Sequence, residues 1–111
     1  MSEAVGAEEA RRLIAGGEAK AVDARGDEAW RDRRITGAIR LSSADLDAGL
    51  EGVAEGVRLI VVGDEGEAPE LADQLEAHGR DAAYLEGGLE AWISEDYPVQ
   101  PSEDPEDDAI I

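Results

Sequence analysis

Residues 59–75, LIVVGDEGEAPELADQL, constrain this chain more than any other stretch. Leu59, Ile60, Val61 and Val62 are consecutive apolar residues, all but the first β-branched. Such a run suits a strand covered on both faces, as in a parallel sheet. A turn-forming segment follows: Gly63, Asp64, Glu65, Gly66, Glu67 and Ala68. A helix is expected to open at Pro69, because proline is tolerated in a first helical turn, where its missing N–H has no partner to lose. In an open α/β sheet, ligands bind at this kind of strand-to-helix corner, where backbone N–H groups and a helix N-terminus converge. Residues 63–68 are therefore the candidate ligand-binding loop. The loop holds no Cys, Ser, Thr, His, Lys or Arg, but it does hold the carboxylates Asp64, Glu65 and Glu67.

The rest of the chain alternates in the same way. Residues 8–15 place Ala10, Leu13 and Ile14 on one helical face, and Gly16-Gly17 ends that helix. Residues 19–24 read as a strand, 28–33 as one or two helical turns carrying Trp30, and 38–41 as a second strand. Ser42 and Ser43 are suitable caps for a helical segment over 44–50. The helix from Pro69 runs to His78, and Gly79 suits a left-handed stop. Residues 82–85 form a further strand, and 89–94 a last helix with Trp92. Strands alternating with helices predict an α/β fold of three layers. Its central, mainly parallel sheet has about four or five strands, with helices on both faces. Residues 1–100 form one domain, and the Pro- and acid-rich segment 101–111 reads as a disordered tail.

Charge and composition exclude several function classes. Ten Lys and Arg stand against 28 Asp and Glu, a net charge of −18. Nucleic-acid binding depends on basic side chains that displace counterions, so no nucleic-acid partner is expected. The acidity extends beyond the tail, whose Glu103, Asp104, Glu106, Asp107 and Asp108 account for only part of it. A salt-rich cytoplasm or a GC-rich genome would each produce this bias. No run approaches the ~20 apolar residues of a membrane span. With no secretion signal either, a cytoplasmic monomer is expected. The absence of cysteine removes disulfides, thiolate metal sites and thiol catalysis together.

Three segments carry a resemblance to a known family. Val22-Asp23-Ala24-Arg25 followed by Glu28-Ala29-Trp30 is similar to a "V-D-x-R, acidic, E-aromatic" segment. Arg34-Ile35-Thr36-Gly37-Ala38-Ile39 is similar to "H-I-P-G-A-I". Tyr84-Leu85-Glu86-Gly87-Gly88 through Trp92, then Tyr97-Pro98-Val99, is similar to "L-x-G-G-x-x-x-W, x-Y-P-V". Together, in this order, they resemble the single-domain rhodanese (thiosulfate sulfurtransferase) superfamily over residues 3–100. The resemblance implies that the central strand ends in a nucleophilic Cys whose loop N–H groups face the thiolate and its persulfide. Laid on this chain, the family's "C-x-x-G-x-R-S" places Gly63 at the Cys, Gly66 at the internal Gly, Ala68 at the Arg and Pro69 at the Ser. Only Gly66 keeps the pattern. The six-residue loop is of sulfurtransferase length.

Sulfur transfer by that route needs a thiolate, because the thiolate attacks and carries the sulfane sulfur. With glycine at the nucleophile position, no catalytic residue is assigned. The expectation is a catalytically silent rhodanese-like domain serving as a binding or regulatory module. The alternatives are a sulfur-relay protein relying on a partner's thiol and, more remotely, a cation-dependent enzyme using the acidic loop. The spacing of the loop acids matches no calcium-loop pattern, so neither metal nor cofactor is expected. Asp23 and Arg25 are read as satisfying each other and nearby backbone, and His78 as a helix-end residue. Arg31, Arg33 and Arg34, with Arg40, form a basic cluster. It either pairs with neighbouring acids or docks an acidic protein partner.

Overall fold

The computed structural model describes residues 2–41, 50, 52–64 and 66–100. Seven strands are described: β1 (Glu3–Val5), β2 (Ala19–Asp23), β3 (Arg34–Ile35), β4 (Ile39–Arg40), β5 (Arg58–Val62), β6 (Ala82–Leu85) and β7 (Val99–Gln100). The helices are α1 (Ala7–Ala15), α2 (Asp27–Asp32), α3 (Glu67–Ala77) and α4 (Gly88–Ser94). Five strands form one parallel sheet in the order β1-β6-β5-β2-β4. Strands β3 and β7 pair antiparallel beside it.

The apolar run sets this order. Leu59, Ile60, Val61 and Val62 are each 0% exposed, so β5 must lie inside the sheet with cover on both faces. Side chains alternate between the faces. Leu59 and Val61 pack with Val22, Leu71, Ala72 and Leu75 under α3. Ile60 and Val62 pack with Ala21, Ala83, Ala10 and Trp92 under α1 and α4. Full burial of each such side chain contributes about 1.5–3 kcal/mol. With no Phe in the chain, Trp92 fills the second face. Its Nε1–H donates to Pro98 O at 2.9 Å, and Tyr97 meets it edge-on at 5.1 Å between ring centroids.

The structure corrects several boundaries. Helix α3 opens at Glu67, two residues before Pro69, so proline occupies its third position. There its missing N–H is still one of the unpaired first-turn groups, and the helix tolerates it. The expected strand over 38–41 shortens to Ile39–Arg40. Strands β1, β3 and β7 were not expected; at two or three residues each they show no periodicity to read. Gly79 has φ +85°, as expected for the stop of α3. Apart from Leu50, which is buried, the segment 44–50 lies outside the described residues, as does the tail 101–111.

Candidate functional site

The carboxyl ends of β2, β5 and β6 meet at one end of the sheet. Ala24 N–H donates to Val62 O at 2.9 Å, which brings Asp23, Ala24 and Arg25 beside Gly63. The loop then turns at once into α3, because Ala68 N–H donates to Asp64 O at 2.9 Å. A ring of N–H donors is therefore incomplete here: that N–H is engaged and Pro69 has none. A Cβ placed on Gly63 would lie 3.5 Å from both Ala24 Cβ and Ala68 Cβ, which is ordinary van der Waals contact. The position is thus sterically open to a side chain.

The β6–α4 corner closes on the loop from the other side. Gly87 and Gly88 have φ of +79° and +61°, a region that favours glycine. A Cβ on Gly87 would stand 2.8 Å from Ala91 Cβ, and one on Gly88 3.2 Å from Gly63 O. The glycine pair therefore lets this corner approach the Gly63 carbonyl. Between the two corners lies a cleft of about 650 Å³. Gly63, Ala68, Tyr84 and Leu89 line it, together with Arg25, Asp64, Glu86 and Glu90.

Arg25 is the cation of the cleft, and it is held firmly. Its Nη2 donates to Asp23 Oδ2 at 2.7 Å, and its Nε to Oδ1 and Oδ2 at 3.0 and 3.2 Å. The Arg25 main-chain N–H adds a bond to Oδ1 at 2.9 Å, and Nη2 also donates to Arg33 O. Asp23 is 1% exposed, and Arg25 supplies its carboxylate with four hydrogen bonds. The reading of Asp23 and Arg25 as mutually satisfied holds, yet Arg25 also lines the cleft, which the sequence did not indicate. Asp64, Glu86 and Glu90 are exposed around it, so the opening is acidic.

The candidate loop residues separate in space. Gly63, Asp64 and Ala68 line the cleft, whereas Gly66 and Glu67 are exposed and do not. Glu65 lies outside the described residues. Ala68 is 1% exposed and packs in the core under α3, so this position brings no charged side chain to the cleft. Glu86, Gly87, Gly88 and Glu90 were not foreseen as lining. The Gly-Gly pair after an apolar strand was the available signal, since adjacent parallel strands end at the same edge.

Other singled-out residues lie elsewhere. His78 caps the far end of α3, with Nδ1 2.9 Å from Gln74 O. Arg34 stacks on Trp30 at 4.6 Å and donates to Trp30 O at 2.9 Å, so an aromatic residue holds it. Arg31 is exposed on α2, and Arg40 lies on the edge strand β4. At the opposite end of β5, the hydrogen bond to Glu3 holds the Arg58 guanidinium above its ordinary pKa, against a burial effect that lowers it. Among the described residues no helix is long and apolar enough to cross a membrane.

No curated protein matches the sequence. Solved structures do match the fold. Thiosulfate sulfurtransferase from Pseudomonas aeruginosa aligns with a TM-score of 0.80 at 17% identity, covering 94% of this chain and 20% of that one. A rhodanese-related protein from Thermoplasma volcanium aligns at 0.75 and 20% identity, covering 90% and 99%. A Bacillus halodurans protein aligns at 0.76 and 21% identity, covering 89% and 77%. At these identities the likeness carries the fold alone. The family model of the rhodanese-like domain matches residues 6–95. That match spans most of the chain, the cleft included, and the chain belongs to the rhodanese-like domain family.

Proposed function

We propose that this chain is a catalytically silent rhodanese-like domain that works as a binding or regulatory module. The observation that carries this reading is Gly63. It stands at the carboxyl end of β5, where the family resemblance puts the nucleophilic Cys, and the chain has no cysteine anywhere. The thiolate is the atom that attacks thiosulfate and holds the transferred sulfur, and no hydroxyl, amine or carboxylate substitutes for it in that role. What remains is a recess with an apolar floor, a fixed guanidinium and an acidic opening, the combination of surfaces from which small ligand sites are made.

The test is a thiosulfate:cyanide sulfurtransferase assay on the purified chain. The expected rate equals the uncatalysed background. A rate above background that disappears when residues 63–68 are altered overturns the reading.

A second reading, a sulfur relay that borrows a partner's thiol, is favoured by one observation. The space a side chain would occupy at Gly63 is open and leads into the cleft. An added thiol peptide that turns on sulfur transfer only in the presence of this chain would select it. The cation-dependent reading draws no support from the loop: Asp64 lines the cleft and Glu67 does not. The basic residues Arg31, Arg33 and Arg34 are the proposed contact for an acidic protein partner.

A further inference from the structure

The cleft between the β5 and β6 corners has little with which to hold an anion. Arg25 is its one basic lining residue among those described. Asp23, 1% exposed, lies 2.7 Å from the guanidinium, so the pair brings no net charge. The nearby backbone donors are engaged as well. Ala24 N–H bonds to Val62 O, Ala68 N–H to Asp64 O and Glu86 N–H to Val5 O, each at 2.9 Å. Arg25 N–H bonds to Asp23 Oδ1, also at 2.9 Å. Pro69 has no N–H to offer.

The rim carries the opposite charge. Asp64, Glu86 and Glu90 line the cleft and are exposed. Among the described residues none of the three forms an ion pair. The residues outside the described set include no Lys, Arg or His, so no basic side chain from them neutralises this rim. The rest of the lining is largely apolar, with Leu85 buried and Pro69, Leu89 and Tyr84 half-buried. Such a surface suits the aliphatic stem of a long basic side chain, and a tyrosine ring attracts a cation through its face. The acidity continues past the cleft at Glu67 and Glu70, both exposed in the first turn of α3.

We propose, resting on the silent-module reading, that this cleft receives a lysine side chain from a basic segment of a protein partner. The ammonium meets Asp64, Glu86 and Glu90, and the stem lies along Leu89 and Tyr84. Lysine suits the site better than arginine. A compact ammonium with three donors can serve carboxylates that come from two separate corners, whereas the guanidinium fork matches a single carboxylate in its plane. Neighbouring basic residues of the same segment reach Glu67 and Glu70. A free polyamine fits less well, because the apolar lining gives its further ammonium groups no partner. The charge preference is the reverse of that for anionic thiosulfate.

The experiment is fluorescence anisotropy on the full chain with a short labelled peptide of Gly, Leu and Lys. The same peptide with Glu for Lys, and spermine, are measured beside it. The lysine peptide is expected to bind, and more weakly as salt rises, while the glutamate peptide does not bind. Glu86→Gln/Glu90→Gln should weaken the lysine peptide roughly fivefold or more. Glu18→Gln/Glu76→Gln removes the same charge from exposed positions at the start of β2 and the last turn of α3. That variant should leave binding within about twofold, because distant exposed charges are screened. Equal weakening by both variants overturns the proposal, since overall charge alone would then attract the peptide. Spermine that binds more tightly than the peptide also overturns it and assigns the cleft to a free polyamine. A lysine peptide that fails to bind overturns it too, while a background sulfurtransferase rate would still support the silent module.

Discussion

Replacing Arg25 with alanine strips a buried carboxylate of its counter-ion. Asp23 is 1% exposed and Arg25 17%, so the two changes that break this pair are not equivalent. Without the Arg25 side chain the carboxylate keeps the hydrogen bond from the residue-25 main-chain N–H. Removing one partner of a buried pair costs about 3–5 kcal/mol. The surviving main-chain bond puts Arg25→Ala near the lower end, about 3 kcal/mol. Asp23→Ala instead leaves a guanidinium at the rim of the cleft, where it turns toward water, so the cost falls to about 1–2 kcal/mol. The double variant leaves no stranded charge and should lie well below the sum of the single changes. For a domain of this size each kcal/mol moves Tm by about 4–8 °C, so Arg25→Ala lowers it by roughly 12–24 °C. Urea unfolding of the four proteins, with the slope checked for constancy, measures all three differences. An Arg25→Ala cost below about 1 kcal/mol, or strict additivity, would refute the argument that Asp23 depends on Arg25 for its burial.

Further outcomes follow from other sites. Gly87→Ala, at φ +79° with its Cβ 2.8 Å from Ala91 Cβ, should destabilise the domain. The expected cost is about 2–4 kcal/mol in denaturant, from left-handed strain plus overpacking. The net charge of −18 leaves most carboxylates without a cationic partner, so Tm should rise between low and molar potassium chloride, where the screening length falls to about 3 Å. A falling Tm contradicts this. Gly63→Cys should fold normally, since its Cβ meets nothing closer than 3.5 Å. Its thiol should transfer sulfur poorly, because Asp64, Glu86 and Glu90 oppose a thiolate and repel thiosulfate. Changing Glu86 and Glu90 to Gln in that background should lower the thiol pKa and raise the rate. Equal rates with and without those changes would show that only the sulfur atom was missing.

The parts of this fold that could be read in the sequence are those with strong local patterns. The apolar run of β5 announced a strand buried on both faces, and residues 82–85 coincide with β6. Gly79 marked a left-handed stop, and the structure gives it positive φ. Strands β1, β3 and β7 left no signal because two or three residues cannot display a period, and their existence depends on distant partners. Pro69 misled by two residues because all the early N–H groups of a helix are equally expendable, so proline does not identify the first one. The site was half legible. Local sequence indicated the corner after β5, but Arg25, Glu86 and Glu90 join it only because β2, β5 and β6 end side by side. That adjacency belongs to the sheet order rather than to any one segment.

The central claim, that this family member has no thiol on which to carry transferred sulfur, is tested most directly by incubating the purified chain with radiolabelled thiosulfate and then desalting and weighing it. The expected result is a protein of unchanged mass with no retained label, since no thiolate exists to form a persulfide. A stable gain of one sulfur atom per chain, lost on addition of cyanide, would contradict it.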